Sequence, residues 1–459
     1  MKPSPSGPSF DRVAHRGQRG QRGAATLVVV MVLFFIMALV AVYTSRNLIF
    51  EQRTSSNQYR SSQAFEAAEA GVEWALAMLN GGRVDSACLP TTDTTQSSFR
   101  ARYIDTIDSE SKMTVRTQPP GPGFPATPAP ALMPACVFDA ATNPNLWRCH
   151  CPSDSATVLP VVGGAAAKPM FRVRFEYLSA PATRRDVLRI VSAGCNRPDP
   201  ACLAETPSAP PGDAMAVVTS VVALRSALST LPGAAITAQG DVNAGTGSLA
   251  ATNTNPATGG ITVLAGGGIL GTVLPTTLAG TPGDKSMGAS DDALAALAIP
   301  DRMFNNFFGM APLFYEEQPG AFVLDCSAGC NSANVNSAVA QNPGHVIWIE
   351  GDLTVNGDIG TAPVGGGLLA SELPSTGPVM LVVEGTATLA SGTLYGALYG
   401  RVLSWNRGSG TALVQGALIA EGGLVGNGNQ QVIYDPAILS LLRTRQGSFV
   451  RVPGGWKDF

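Results

Sequence analysis

The chain has 459 residues, enough for two or three folded units. Charged residues make up only 14%, and 51 glycines with 34 prolines confine helix to a few segments. A hydrophobic share of 45% excludes a disordered polyelectrolyte, a net charge of −3 offers no general field for nucleic acid, and three histidines argue against a His-rich metal enzyme.

Residues 1–22 carry Lys2, Arg12, Arg16, Arg19 and Arg22 against Asp11 alone, and no charge occurs from Gly23 to Ser45. Within that run, Ala24–Tyr43 is apolar apart from Thr26. At about 1.5 Å per residue such a stretch is long enough to cross a bilayer as a helix. The basic flank would stay cytoplasmic, with the bulk of the chain on the other side of the inner membrane. A removed signal peptide is the competing reading, but the run is too long for one and Leu39 occupies a position that wants a small residue.

The helix pattern continues. Phe65, Ala68, Val72, Leu76 and Leu79 recur at three- and four-residue steps, Glu66, Glu69 and Glu73 line another face, and Asn80-Gly81-Gly82 is a stop signal. A single helix over 24–80 would run about 85 Å.

The basic leader followed by Gly23-Ala24-Ala25-Thr26-Leu27, and then Ala64-Phe65-Glu66-Ala67-Ala68-Glu69-Ala70-Gly71-Val72-Glu73, resembles the PilX-type N-terminal region of type IV pilus minor pilins. The resemblance implies a leader 1–23 removed by a prepilin peptidase between Gly23 and Ala24, methylation of the new N-terminus, and partnership with other pilins and minor pilins. It implies filament packing through Val28, Phe34 and Phe35. The fifth mature position, where major pilins usually carry a glutamate, is Val28, which suits a low-abundance subunit at a filament end. Cleavage would leave 25 basic against 32 acidic residues, net −7. GspK-like pseudopilins of type II secretion share the helix pattern and are the alternative. A membrane-anchored envelope scaffold with an uncleaved helix is a further one.

Residues 81–228 are expected as a pilin-like region. A proline-rich run, Pro119–Pro134, reads as an extended loop. Met170–Tyr177 alternates apolar and charged residues, Asp186–Ala193 follows, and the two read as a half-buried hairpin with a third strand at Met215–Leu224. The eight cysteines Cys88, Cys136, Cys149, Cys151, Cys195, Cys202, Cys326 and Cys330 all follow the apolar run and read as up to four disulfides. Cys195–Cys202 and Cys326–Cys330 are local candidates, and the other four have three possible connectivities. Cys149-His150-Cys151 has the wrong spacing for zinc, so no metal and no cofactor is expected.

Residues 229–445 are glycine-rich, with β runs each followed by a similar turn. The turns are Gln239-Gly240-Asp241, Glu350-Gly351-Asp352, Glu384-Gly385-Thr386 and Glu421-Gly422-Gly423. Strands stacked through such corners suggest a β-solenoid, with a β-sandwich as the structural alternative. Asp241 and Asp352 are expected to bond turn amides rather than substrate. A helical insertion over 288–320 starts with Ser290 as N-cap for Asp291–Ile299, then gathers Phe304, Phe307 and Phe308, either as a partner patch or as a cap over an open edge. Residues 446–459 read as a tail. The expected fold class is α+β: a long N-terminal helix with a small antiparallel sheet, then an all-β region. No catalytic motif appears, so the reading is a structural protein whose C-terminal half contacts a surface ligand or tip adhesin.

Overall fold

The computed structural model describes residues 22–107, 112–115, 132–140, 146–153, 158–162, 168–178, 186–204, 213–363, 377–406 and 412–458. The chain separates into two compact units, Met1–Tyr59 and Arg60–Phe459. The first consists, over its described part, of the N-terminal portion of helix α1 (Arg22–Leu79), whose large apolar side chains from Leu27 to Tyr43 are exposed. Most of the proline-rich run lies outside the described residues.

In the second unit, α1 ends at Leu79, immediately before Asn80-Gly81-Gly82. Its buried face is built from small residues, Ala64, Ala67, Ala68 and Ala75, together with Val72 and Leu79. After it come α2 (Phe99–Tyr103), the antiparallel pair β1 (Ile104–Ile107) and β2 (Lys112–Val115), then β3 (Ala135–Phe138), β4 (Trp147–His150), β5 (Met170–Tyr177), β6 (Val187–Cys195) and β7 (Met215–Ser226). These last five join a six-stranded antiparallel sheet. Strands β5 and β6 pair from Met170↔Cys195 to Tyr177↔Leu188, so the expected hairpin pairing forms. It is not half-buried, however: Val187, Leu188, Ile190, Val191, Ala193 and Cys195 are all buried. On one face α1 covers Leu188 and Ile190, and on the other Cys195 packs with Cys202 of the 3₁₀ turn Pro200–Leu203, to which it is disulfide-bonded. A Cβ on Gly194 would lie 2.1 Å from the Ala64 carbonyl oxygen and 2.3 Å from the Ala68 nitrogen.

The all-β half contains β8 (Ile236–Ala238), β9 (Val242–Thr252), β10 (Val263–Ala265), β11 (Ile269–Thr276) and β12 (Met287–Gly288). It continues through α3 (Asp292–Ala295), α4 (Arg302–Phe308), α5 (Pro312–Glu316), β13 (Ala321–Asn331), α6 (Ser332–Gln341), β14 (Val346–Asn356), β15 (Val379–Asn406), β16 (Ala412–Ala420), β17 (Leu424–Asn427), β18 (Asn429–Tyr434) and α7 (Pro436–Arg445). Its strands form an 11-stranded sheet in which every pairing among the described residues is parallel. An antiparallel sandwich is therefore not what these strands make.

Spatial order departs from chain order. Strand β14 lies between β13 and β15, β15 beside β16, and β16 beside β8, which then leads to β10 and β12. The chain thus enters the stack in its middle, runs to one end at β12, crosses through α3–α5, and refills the stack from β13 at the other end. The similar turns noticed in the sequence meet in register: Leu353 pairs with Ala387, and Val242 with Leu424.

The crossing segment differs from expectation in two ways. Asp291, not Ser290, is the N-cap of α3, its carboxylate accepting from the Ala293 and Leu294 amides, and Ser290 has φ +54°. The helix itself is one turn followed by a 3₁₀ turn at Ala296–Ala298. Nor are residues 446–459 a tail. Strand β19 (Gly447–Lys457) pairs antiparallel with β7, from Gly447↔Ser226 to Lys457↔Thr219, and forms an edge of the antiparallel sheet.

Candidate functional site

Two regions carry the residues singled out from the sequence: the N-terminal helix and the hub where α1 ends. The Gly23–Ala24 bond lies in the first turn of α1, where amide N–H groups have no intrahelical acceptor. No acidic residue stands in that turn. Val28, Phe34 and Phe35 are 58%, 74% and 65% exposed. Seven residues apart, Val28 and Phe35 share one helical face, and Phe34 is displaced by about 100° from Phe35. The helix is long and apolar enough to cross a membrane.

At the other end of α1 a hub ties the antiparallel sheet to the parallel one. Arg100 is buried, and its guanidinium donates to the carbonyls of Leu79 (3.1 Å), Arg445 (3.1 Å) and Gly447 (2.8 Å) while lying over the Phe449 ring. One side chain thereby completes the C-terminus of α1 and fixes the link from α7 to β19. Burial pulls its pKa down to about 10, so it stays charged at neutral pH. Asn80 pairs with Phe449 in both directions, donating to its carbonyl (2.9 Å) and accepting from its amide (2.7 Å). Arg102 donates to Asp85 (2.9 Å), Cys151 (2.9 Å) and Val84 (2.7 Å) carbonyls and so orders the segment after α1.

His345 joins the same hub. Its Nε2 lies 2.9 Å from the Asn80 carbonyl, which requires the proton on Nε2. Burial, then the Arg100 charge, depresses its pKa. The unfolded chain therefore takes up a proton that the folded one resists. Stability is full above pH about 6.5 and falls as the pH drops from there towards the lowered folded value. In urea titrations between pH 7.5 and 5, His345→Gln is expected to flatten this part of the pH dependence. An unchanged slope would remove His345 as its source.

All eight cysteines are paired, as Cys88–Cys151, Cys136–Cys149, Cys195–Cys202 and Cys326–Cys330. The open choice among three connectivities resolves through the fold. Cys136 and Cys149 face each other on β3 and β4, while Cys88 and Cys151 join the loop after α1 to the end of β4. The sulfurs flanking His150 are thus committed to disulfides, and the Val158 amide donates to His150 Nδ1 (3.2 Å). Among the described residues no group of three or more His, Cys, Asp or Glu is arranged to hold a metal ion.

Phe304, Phe307 and Phe308 are buried, which corrects the expectation of an exposed partner patch. Phe304 stacks on Phe308 at 4.0 Å and meets Tyr315, Trp348 and Tyr399 edge-on. The crossing segment has to cover the strands it passes, and their runs Val346–Ile349, Val379–Val383 and Gly416–Ala420 are buried. Parallel strands covered on both faces read as continuous apolar runs, and the rings supply the second cover. Leu313 and Phe314 on α5 remain exposed.

The turn acids bond backbone amides across neighbouring turns. Asp241 accepts from the Gly268 amide (2.6 Å), Asp352 from Thr386 (2.7 Å) and Asp358 from Thr393 (2.7 Å). Asp352→Ala is expected to cost about 1 kcal/mol, since the orphaned amide is partly solvated. A urea midpoint shift below experimental error would contradict that role. The hub itself was not legible in the sequence: arginines that bond main-chain carbonyls and neutral side chains leave no acidic partner to find.

Comparison with known proteins bears on the first region. The family model for the PilX N-terminal region matches residues 22–73. No curated protein matches the chain. The solved structure of competence-associated pilin ComZ from Thermus thermophilus aligns over 87% of this chain and 98% of that one, at 10% identity and a TM-score of 0.19, a similarity too low to support a statement about fold. Over residues 22–73, helix α1 is similar to the PilX N-terminal region.

Proposed function

We propose that the chain is a minor pilin-like subunit of a type IV pilus, processed by a prepilin peptidase between Gly23 and Ala24 and methylated at Ala24. The PilX match over residues 22–73 carries this reading. The exposed apolar side chains from Leu27 to Tyr43 supply a surface that lipid covers before assembly and neighbouring pilin helices cover afterwards. Val28 stands where a carboxylate would otherwise partner a buried N-terminal charge, which favours a filament end over a repeated position.

In this reading the parallel sheet is a β-solenoid, its coils joined through the aspartate-to-amide bonds of its corners. It is displayed at the surface as a contact module. Replacing Gly23 by valine is expected to block cleavage, because a branched side chain crowds the scissile bond. The protein would then accumulate in the inner membrane with its leader attached and disappear from sheared filaments. Normal processing of Gly23→Val would contradict the assigned cleavage site.

A further inference from the structure

The two ends of the parallel stack are built differently. At one end the two-residue strand β12 pairs with β10 and the chain turns away into α3, the Ser290 and Asp291 amides bonding the Gly267 and Ala265 carbonyls. At the other end stands β13, 11 residues long and, among the described residues, paired on one side only, with β14. Phe322 and Leu324 lie in register with the fully buried Ile347 and Ile349, yet are themselves only partly covered. This end of the stack is therefore open. An edge strand presents a row of backbone donors and acceptors, a template for one kind of partner, another β-strand.

Strand β13 carries an obstacle to such pairing. It runs in step with β14 from Ala321↔Val346 to Cys326↔Gly351, but the next pair is Cys330↔Leu353. Four steps along β13 thus oppose two along β14, and the surplus residues 327–329 are exposed. Cys326 and Cys330 are disulfide-bonded across the base of this bulge. Within it the Ser327 amide donates to Asp325 Oδ1 (2.9 Å) and Gly329 takes φ +82°. A Cβ on Gly351 would lie 2.3 Å from the Cys326 carbonyl oxygen, so β14 passes directly against the start of the bulge. A bulge bends its strand and interrupts the ladder that a further strand would need. Stability accounts for this disulfide least of the four. Its ends are 4 residues apart, against 7, 13 and 63 for the others, and a short loop restrains the unfolded chain least.

We propose that the Cys326–Cys330 disulfide fixes this bulge as a guard, which keeps the open end of the stack from pairing with an end strand of a second copy. A second copy is what the guard excludes, because each copy carries the complementary edge. At the far end β11 also pairs, among the described residues, on one side only, with β9. Joining β13 of one copy to β11 of the next would continue the parallel ladder, and a head-to-tail contact of that kind propagates instead of closing. Both edges carry further obstacles of the sort that protect sheet edges. Asp325 adds an exposed charge to β13, and Pro275 removes a backbone donor from β11. The guard belongs to the stack and does not depend on the pilin reading.

The test uses the full chain in density-matched detergent micelles, its mass followed by sedimentation equilibrium over a concentration series. Deleting Ala328 and Gly329 together with Cys326→Ser and Cys330→Ser straightens β13. The mass is then expected to rise with concentration to at least twice that of the parent, and hydrogen exchange to slow over residues 321–326 as it rises. Adding Val323→Lys, at a 38% exposed position on the same edge, is expected to restore the parent's mass. Circular dichroism confirms that the variants fold. Should the deletion fail to fold, Cys326→Ser with Cys330→Ser at full length takes its place, with the same expectations. A parent-like mass at every concentration would overturn the proposal. So would association that Val323→Lys leaves in place, or slowed exchange confined to other segments such as α1.

Discussion

Replacing Arg100 by methionine is expected to destabilise the folded region by about 3 kcal/mol. The guanidinium supplies donors to three carbonyls, that of Leu79 at the end of α1 and those of Arg445 and Gly447 at the junction of α7 and β19. Each buried acceptor left unpaired costs about 1–3 kcal/mol, and relief of the buried charge returns part of that. Methionine fills much of the volume but donates nothing. Arg100→Lys is not expected to rescue, because an ammonium on a flexible stem cannot reproduce the planar fork or the stacking on Phe449. Urea unfolding followed by tryptophan fluorescence reads the loss, and limited proteolysis after α7 reads its location. A variant within about 0.5 kcal/mol of the parent, the range of an ordinary surface change, would mean that the hub is not held by this side chain.

Gly194→Val is expected to be comparably severe. Any Cβ at this position meets the main chain of α1, at 2.1 Å from the Ala64 oxygen and 2.3 Å from the Ala68 nitrogen. Main chain cannot rotate away, so helix and sheet must separate, costing about 3 kcal/mol. Gly71→Ala makes an informative control. Its Cβ would meet side chains and not main chain, the Ser192 hydroxyl at 2.2 Å and the buried Phe171 ring at 2.8 Å. We expect the alanine at 71 to lower the unfolding midpoint less than either alanine or valine at 194. The reverse order would contradict the helix-to-sheet spacing described above.

These two sites also mark where the sequence was hard to read. Apolar periodicity located α1 correctly and named Ala68, Val72 and Leu79, all buried, along with the partly buried Phe65 and Leu76. The closest contact is made by Ala64 and Ala68 against Gly194, and of these Ala64 and Gly194 carry little periodic signal. Strand β5 was legible because alternation shows directly in MFRVRFEY, whereas burial on both faces was not, since it depends on the turn Pro200–Leu203 folding back, where the Cys202 carbonyl accepts from Arg172. Short α2, with the sequence FRARY, looks like a polar loop until its arginines find carbonyls. The repeated turns of the parallel sheet were visible, and their register pairing follows from them. The order of the stack was not, because nothing local indicates that β8 sits beside β16 rather than beside its neighbours in the chain alone. Residues 446–459 read as a tail, yet they form β19, which accommodates Pro453-Gly454-Gly455 in a register shift between Arg451 and Trp456.

The account stands most directly on the fate of the N-terminus. Mass spectrometry of protein sheared from the cell surface measures it, scoring both leader loss and methylation. A chain beginning at methylated Ala24 is the result expected of a processed minor pilin. A chain beginning at Met1 or Lys2 and confined to membranes would contradict it, and would leave α1 as the anchor of an envelope protein.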